Sequence, residues 1–219
     1  MKKMLLVVLS LVFSFSLIAQ KDVTRFLGIP VDGSKSEMIK KLKEKGFVSS
    51  EFDKEILEGE FNGTDVYIHV VTNNNRVYRI MVADRYRLNE NEIMIRFNRL
   101  CSQFENNGKY VHFDENFIPE GEDISYEMTV NSKRYQAVYY QIPDTAKLKS
   151  NFVEFISDRY AKEEVEGLSE EERVELIIEM IAAEIPNRTV WFMIDEAFGS
   201  YKILMYYDNE YNHANGEDL

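Results

Sequence analysis

The sequence predicts an α+β fold in which an antiparallel β-sheet, built from hairpins, carries helices packed on one face. Three observations predict it. Strand-like segments arrive in pairs separated by short Asn- and Gly-containing turns, their apolar residues alternate with period two, and the segments between them repeat apolar residues at helical spacing behind capping pairs. Strands joined by a tight turn run antiparallel, whereas parallel strands need a long crossover between them. A chain of 219 residues with 45% hydrophobic content has enough apolar material for one core.

The first helix is expected from about Lys35 to Lys45. Ser34 and Glu37 form a capping box, Met38, Ile39 and Leu42 make the apolar stripe, and Gly46 followed by Phe47 fits a Schellman stop in which Phe47 folds back on Leu42. A strand near Ile56–Phe61 follows. A hairpin comes next, with Val66, Ile68 and Val70 on one strand and Tyr78, Ile80 and Val82 on the other, around an asparagine turn at 73–75.

Asn89 and Glu92 cap a second helix carrying Ile93, Phe97, Leu100, Cys101 and Phe104, and Asn106, Asn107 and Gly108 end it. The segments ISYEMTV and KRYQAVYYQI read as a second hairpin around Asn131 and Ser132, with Tyr126, Met128 and Val130 on one side. Asp144 caps a third helix lined by Leu148, Phe152, Phe155 and Ile156. Ser169 and Glu172 open a fourth that Pro186 stops, with EEVEGLSEEE between them as an exposed linker. TVWFMID and YKILMYYD form the last hairpin, turning at Phe198–Ser200; Tyr201, Ile203, Met205 and Tyr207 share one face, and Lys202, Leu204 and Tyr206 the other.

The chain opens on MKKMLLVVLSLVFSFSLIAQ, a basic head and a short apolar run ending in small residues, which is the pattern of a cleaved export signal over residues 1–19. Cleavage after Ala19 and after Ser16 both remain open. Neither exposes a cysteine for a lipid anchor, so the expectation is an exported protein, periplasmic or extracellular, with no stable membrane insertion. Residues 20–219 then form a single domain, with two related halves at about 20–118 and 119–219 left open. Losing Lys2 and Lys3 takes the 26 basic residues to 24 against 38 acidic, a formal charge of −14. Such a surface repels phosphate backbones and argues against nucleic acid; the lysines of 35–45, interleaved with Glu37 and Glu44, read as a solvated helix face. The single Cys101 excludes an intrachain disulfide and reads as a small core residue.

Phosphate-binding GxxxxGK, GxSxG, HExxH and CxxC signatures are absent, and three histidines with one cysteine do not make a structural zinc site; no cofactor is implied. The stretch YYDNEYNHANGED fails the EF-hand register, since a loop starting at Asp208 puts His213 where Gly belongs and Leu219 where Glu belongs. An irregular oxygen site at Asp208, Glu210 and Asn212 is the metal alternative, against a strand that runs out at Asp208 and Asn209 into an acidic tail. His69, between Ile68 and Val70, and His112 are isolated general-base candidates, with hydrogen-bonded structural roles as the commoner alternative. The tyrosines of the hairpins cannot all enter one core, so some rings emerge on the sheet's second face unless the third and fourth helices cover it. Tyr139, Trp191, Tyr206 and Tyr207 are the ligand-binding candidates.

At FLGIPVDGSKSEMIKKLKEKGF, VVTNNNRVYRIMVAD and MYYDNEYN the chain resembles a group of uncharacterised exported proteins of Bacteroidetes bacteria over nearly its whole mature length, a group that brings no activity with it. A shorter likeness is to envelope modules such as β-lactamase-inhibitor-like repeats and small outer-membrane-assembly lipoproteins, in which a Gly and a capped helix precede antiparallel strands; this chain lacks their lipid-bearing cysteine. The functional expectation is a non-catalytic binding or protein-interaction module of the bacterial envelope whose partner is an envelope protein or a glycan. The alternatives are a secreted hydrolase with a non-motif site drawn from His69, Asp195 or Asp208, and a proteinaceous enzyme inhibitor.

Overall fold

The computed structural model describes residues 22–143, 169, 171–172, 175–176, 179 and 185–214. The export signal, the third helix and residues 163–168 and 170 of the acidic linker, like residues 215–219, lie outside the described residues.

Eight strands form one antiparallel sheet, and its core lies between that sheet and two helices. The elements are β1 (Arg25–Phe26), β2 (Ile29–Pro30), α1 (Lys35–Glu44), β3 (Val48–Ser49), β4 (Leu57–Phe61), β5 (Thr64–Asn73), β6 (Arg76–Asp84), α2 (Glu90–Glu105), β7 (Tyr110–Val111), α3 (Ile124–Thr129), β8 (Gln136–Gln141), β9 (Thr189–Ala197) and β10 (Ser200–Asp208). The order in the sheet is β3-β4-β5-β6-β10-β9-β8-β7, with β1–β2 as a separate ribbon. The pairing of β6 with β10 therefore joins the two longest hairpins, one from each half of the chain, at the centre.

Four two-residue turns fold these hairpins. Leu27–Gly28, Asn62–Gly63, Asn74–Asn75 and Phe198–Gly199 each hold both central residues at positive φ, between 47° and 80°. This is the type I′ geometry, whose twist matches that of the flanking strands. Asparagine and glycine tolerate it; Leu27 and Phe198 adopt it at a steric cost.

The expected caps of the helices are present. Ser34 and Glu37 close a capping box on α1, and Asn89 and Glu92 close one on α2. Gly46 sits at φ +102°, its N–H bonding to Lys43 and that of Phe47 to Leu42, which completes the Schellman stop and buries Phe47. Ser169 and Glu172 likewise make reciprocal capping bonds, and residues 171, 172, 175, 176 and 179 are helical, with Leu176 buried. Met38 and Leu42 of α1 and Ile93, Phe97 and Leu100 of α2 share one core with Ile68, Ile80, Phe192 and Ile203 of the sheet. Lys40, Lys41, Lys43 and Lys45 are exposed, as the solvated face of α1.

Two expectations are corrected. Residues 124–129 are a helix, and the partners of β8 are β9 and β7. Asp123 accepts the Tyr126 N–H at 2.8 Å and caps a short α3, with Ile124 buried and Met128 against the core while Tyr126 and Val130 are exposed. Ile124 and Met128 are four apart, so the same residues satisfy strand alternation and helical spacing, and the cap decides. In β6 the register slips between Val71 and Thr72 of its partner, so that Val77 rather than Tyr78 points inward beside Ile80 and Val82. The bulge turns Tyr78 towards His213, whose ring it meets edge-on at 4.8 Å.

Candidate functional site

The strand β10 alternates as expected, with Tyr201, Ile203, Met205 and Tyr207 buried and Lys202, Leu204 and Tyr206 half-buried on the other face. This splits the four ring candidates. Tyr139 and Tyr207 belong to the helix side. Tyr139 stacks on Phe104 at 4.6 Å, and burial first, then its contact with Cys101, pushes its phenol pKa up. Cys101 itself is fully buried and its thiol is pushed up to about 11 by desolvation, so it packs as an apolar side chain.

Trp191 and Tyr206 come together on the second face, stacked with centroids 4.1 Å apart. Arg79 lies over both, 4.9 Å from the Tyr206 ring and 5.6 Å from that of Trp191, and binds Asp208 through two hydrogen bonds of 2.6 and 2.8 Å. The indole N–H of Trp191 donates to the same carboxylate at 2.9 Å. The Asp208 hydrogen bond raises the pKa of Arg79. Arg79 and Trp191 both donate to Asp208, so the cluster staples β6, β9 and β10 together.

Asp208 therefore does not join Glu210 and Asn212 around an ion. Asn212 turns its amide to Asp32 and to the Val77 carbonyl, both at 2.8 Å, and Glu210 is exposed. Among the described residues no group of three or more His, Cys, Asp or Glu converges as a metal site. The polar tail begins later than expected. Asp208 and Asn209 are buried, Asn209 bonds Val31 and Tyr78, and a 3-10 turn at Glu210–Asn212 is tied down behind them.

His69, Asp195 and Asp208 do not assemble. His69 lies on β5 and Asp195 on β9, three strand spacings apart across β6 and β10, roughly 14 Å at the usual spacing. Asp195 pairs with Arg87 at 2.7 Å. Burial, then the charge of Lys202, lowers the pKa of His69 and keeps it neutral. His112 is exposed and its Nδ1 meets the Asp114 carbonyl at 3.0 Å.

Among the described residues a concavity lies elsewhere, where the β1–β2 turn, the tip of β4, the C-terminal end of α2 and the end of β10 meet. Two cavities of about 480 and 750 Å³ adjoin there and share Leu27, Phe61, Asn107, Tyr110 and Tyr207. That size suits a small ligand. Its floor is aromatic: Phe26 holds Phe61 and Tyr207 at ring distances of 5.2 and 4.8 Å, and Phe104 holds Tyr110 edge-on at 4.7 Å. Gln141 fixes one wall, accepting the Arg25 N–H and donating to the Arg25 carbonyl, both at 2.7 Å, and donating to the Tyr110 hydroxyl at 3.3 Å. Burial, then neighbouring Tyr110, raises the phenol pKa of Tyr207 well above its ordinary value.

The charges around this groove oppose those of the chain. Among the described residues, Arg25, Lys45, Lys109 and Arg188 line it beside two acids, Asp22 and Glu60, against 26 basic and 38 acidic residues in the chain. Arg188 is 3% exposed and pairs with Asp22, while its Nε has no hydrogen-bond acceptor. Desolvation lowers its pKa. Of the residues singled out from sequence, only Tyr207 borders the groove. The rest of the lining comes from separate loops with no linear motif.

No family model, no curated protein and no solved structure matches this chain. No helix among the described residues is long and apolar enough to cross a membrane.

Proposed function

We propose that this protein is an exported, non-catalytic binding module of the bacterial envelope, working in the periplasm or outside the cell, and that its ligand lies in the groove between the β1–β2 turn and the end of α2. The observation that carries this reading is the groove itself: a concavity of ligand size with an aromatic floor held in place by hydrogen bonds. Such a floor stacks on a flat or apolar body without needing a reactive group.

Gly108 supplies the test. A Cβ there meets no atom within 4 Å and needs no left-handed backbone, so Gly108→Trp sets a bulky ring in the lining of the cavity at little structural cost. Glycan arrays and a small-molecule screen read by thermal shift should return ligands that the wild type retains and Gly108→Trp loses. Ligands held equally by both proteins, or none at all, overturn the reading.

A further inference from the structure

We propose that the groove selects a ligand carrying a carboxylate beside an apolar or ring-shaped body, with the acid at the Arg25–Lys109–Arg188 end and the body over Phe61, Tyr110 and Tyr207. The inference rests on the binding-module reading and names the ligand class for that same site.

Two independent observations carry it. The first is the reversal of local charge. Asp22 is committed to Arg188, and neither Arg25 nor Lys109 forms an ion pair with any described residue; Arg25 spends one guanidinium hydrogen bond on the Gly28 carbonyl at 3.2 Å. Two cations are thus left facing a concavity in a chain whose formal charge is −12. In such a protein a carboxylate is repelled from most of the surface and drawn to this end, where the walls reduce screening.

The second is Arg188. A guanidinium carries five N–H donors, and this one is buried in the cavity wall with a single carboxylate partner and an Nε that bonds nothing. Its Nε and one terminal nitrogen are enclosed, so Arg188 acts on a ligand in the groove through its charge, which the surrounding wall leaves weakly screened. A carboxylate answers that charge, whereas a neutral amide of the same shape carries none. The aromatic floor then gives the rest of the molecule its area, and the Tyr110 hydroxyl marks the boundary between the two parts.

The test compares 4-phenylbutyrate with its primary amide, a pair that differs in charge and hardly in shape. Both are titrated into the purified wild-type protein with chemical shifts followed by heteronuclear NMR. The acid should bind at least tenfold more tightly than the amide, perturb the resonances of Arg25, Tyr110 and Arg188, and lose that advantage between 50 and 500 mM salt, a range over which the screening length falls several-fold to about 4 Å. Arg25→Gln with Lys109→Gln, both exposed and without an ion pair among the described residues, should bring the acid towards the affinity of the amide while leaving the amide unchanged. Arg188 is spared because its loss removes the ion pair of buried Asp22. Equal affinity of acid and amide, both lost in Gly108→Trp, overturns the anion selectivity and leaves the binding module standing. Shifts confined to the Trp191–Tyr206 face, or no shifts with either compound, overturn the inference as well.

Discussion

Replacing Arg96 by Met should be among the most damaging single changes in this fold. Arg96 leaves α2 and binds Asp84 of β6 through two hydrogen bonds of 2.6 Å, while the Ile203 N–H of β10 donates to the same carboxylate at 3.1 Å. The side chains are 10% and 5% exposed, so neither charge is much screened. A third bond of 3.0 Å reaches the Thr64 hydroxyl of β5, so the Arg96–Asp84 pair ties the helix to three strands. Methionine fills most of the volume but leaves Asp84 ionised and buried with only a backbone donor, a cost of about 3–5 kcal/mol. For a domain of this size each kcal/mol moves Tm by about 2–4 °C, so a loss of roughly 10 °C is expected. Adding Asp84→Asn removes the stranded charge and keeps an acceptor for Ile203. The double variant should recover about 2 kcal/mol of that loss, leaving a deficit near the value of an unmet polar contact. Urea unfolding followed by far-UV circular dichroism reads both. An Arg96→Met protein within 1 kcal/mol of wild type, or a double variant less stable than Arg96→Met, refutes the account of this pair.

Three further changes probe other parts of the fold. Gly59 has no room for a side chain, since a Cβ there comes within 2.7 Å of the buried Phe47 ring; Gly59→Ala should cost about 1–3 kcal/mol in urea unfolding, and Phe47→Leu in the same protein should cost less than it does alone. Phe198→Asn should add about 0.5–1 kcal/mol, because it places a residue tolerant of φ near +54° at a fully exposed turn position, and a lower urea midpoint contradicts the turn assignment. Burial alone raises the carboxyl pKa of Asp32, but the hydrogen bonds from Asn212, the Gly33 N–H and Arg76 outweigh it and hold the group below 3.8. Its contribution to stability is present above that value and lost as pH falls through the lower folded one. The difference in urea midpoint between wild type and Asn212→Ala should therefore be steady from pH 7 to 5 and narrow below about pH 4; a gap that widens on acidification contradicts this.

The elements that read clearly from the sequence are those whose signal is local. Ser34 with Glu37, Asn89 with Glu92 and Ser169 with Glu172 each satisfy backbone N–H groups within one turn, so four consecutive residues announce the helix start. Asn62–Gly63 and Asn74–Asn75 likewise carry their turn geometry in their own side chains. Leu27–Gly28 does not: leucine has no preference for positive φ, and the β1–β2 ribbon exists because Thr24, Val31 and Asn209 tie it to the end of β10. Ile124–Thr129 was ambiguous by period, with only the Asp123 cap to separate helix from strand. The bulge at Tyr78 is set by pairing with β5 and by contacts with the C-terminal turn, neither of which is local.

The candidate site was less legible for the same reason. Its lining comes from the β1–β2 turn, the tip of β4, the residues after α2, the end of β8, Arg188 and β10, segments separated by up to 180 residues or so and brought together by sheet order alone. The hairpins carry more aromatic rings than one core holds; Trp191 and Tyr206 use that excess to cover an ion pair, and Tyr207 reaches the groove from the buried face. Asp208, the first acid of the polar C-terminal stretch, is a structural acceptor.

The most direct measurement is of contacts between ring protons of bound 4-phenylbutyrate and the protein, by intermolecular nuclear Overhauser effects. The account predicts cross-peaks to Phe61, Tyr110 and Tyr207, with the methylene next to the carboxylate nearest the Arg25 and Lys109 side chains. Cross-peaks to Trp191 and Tyr206 alone, or a bound ligand with its ring at the cationic end, contradict it.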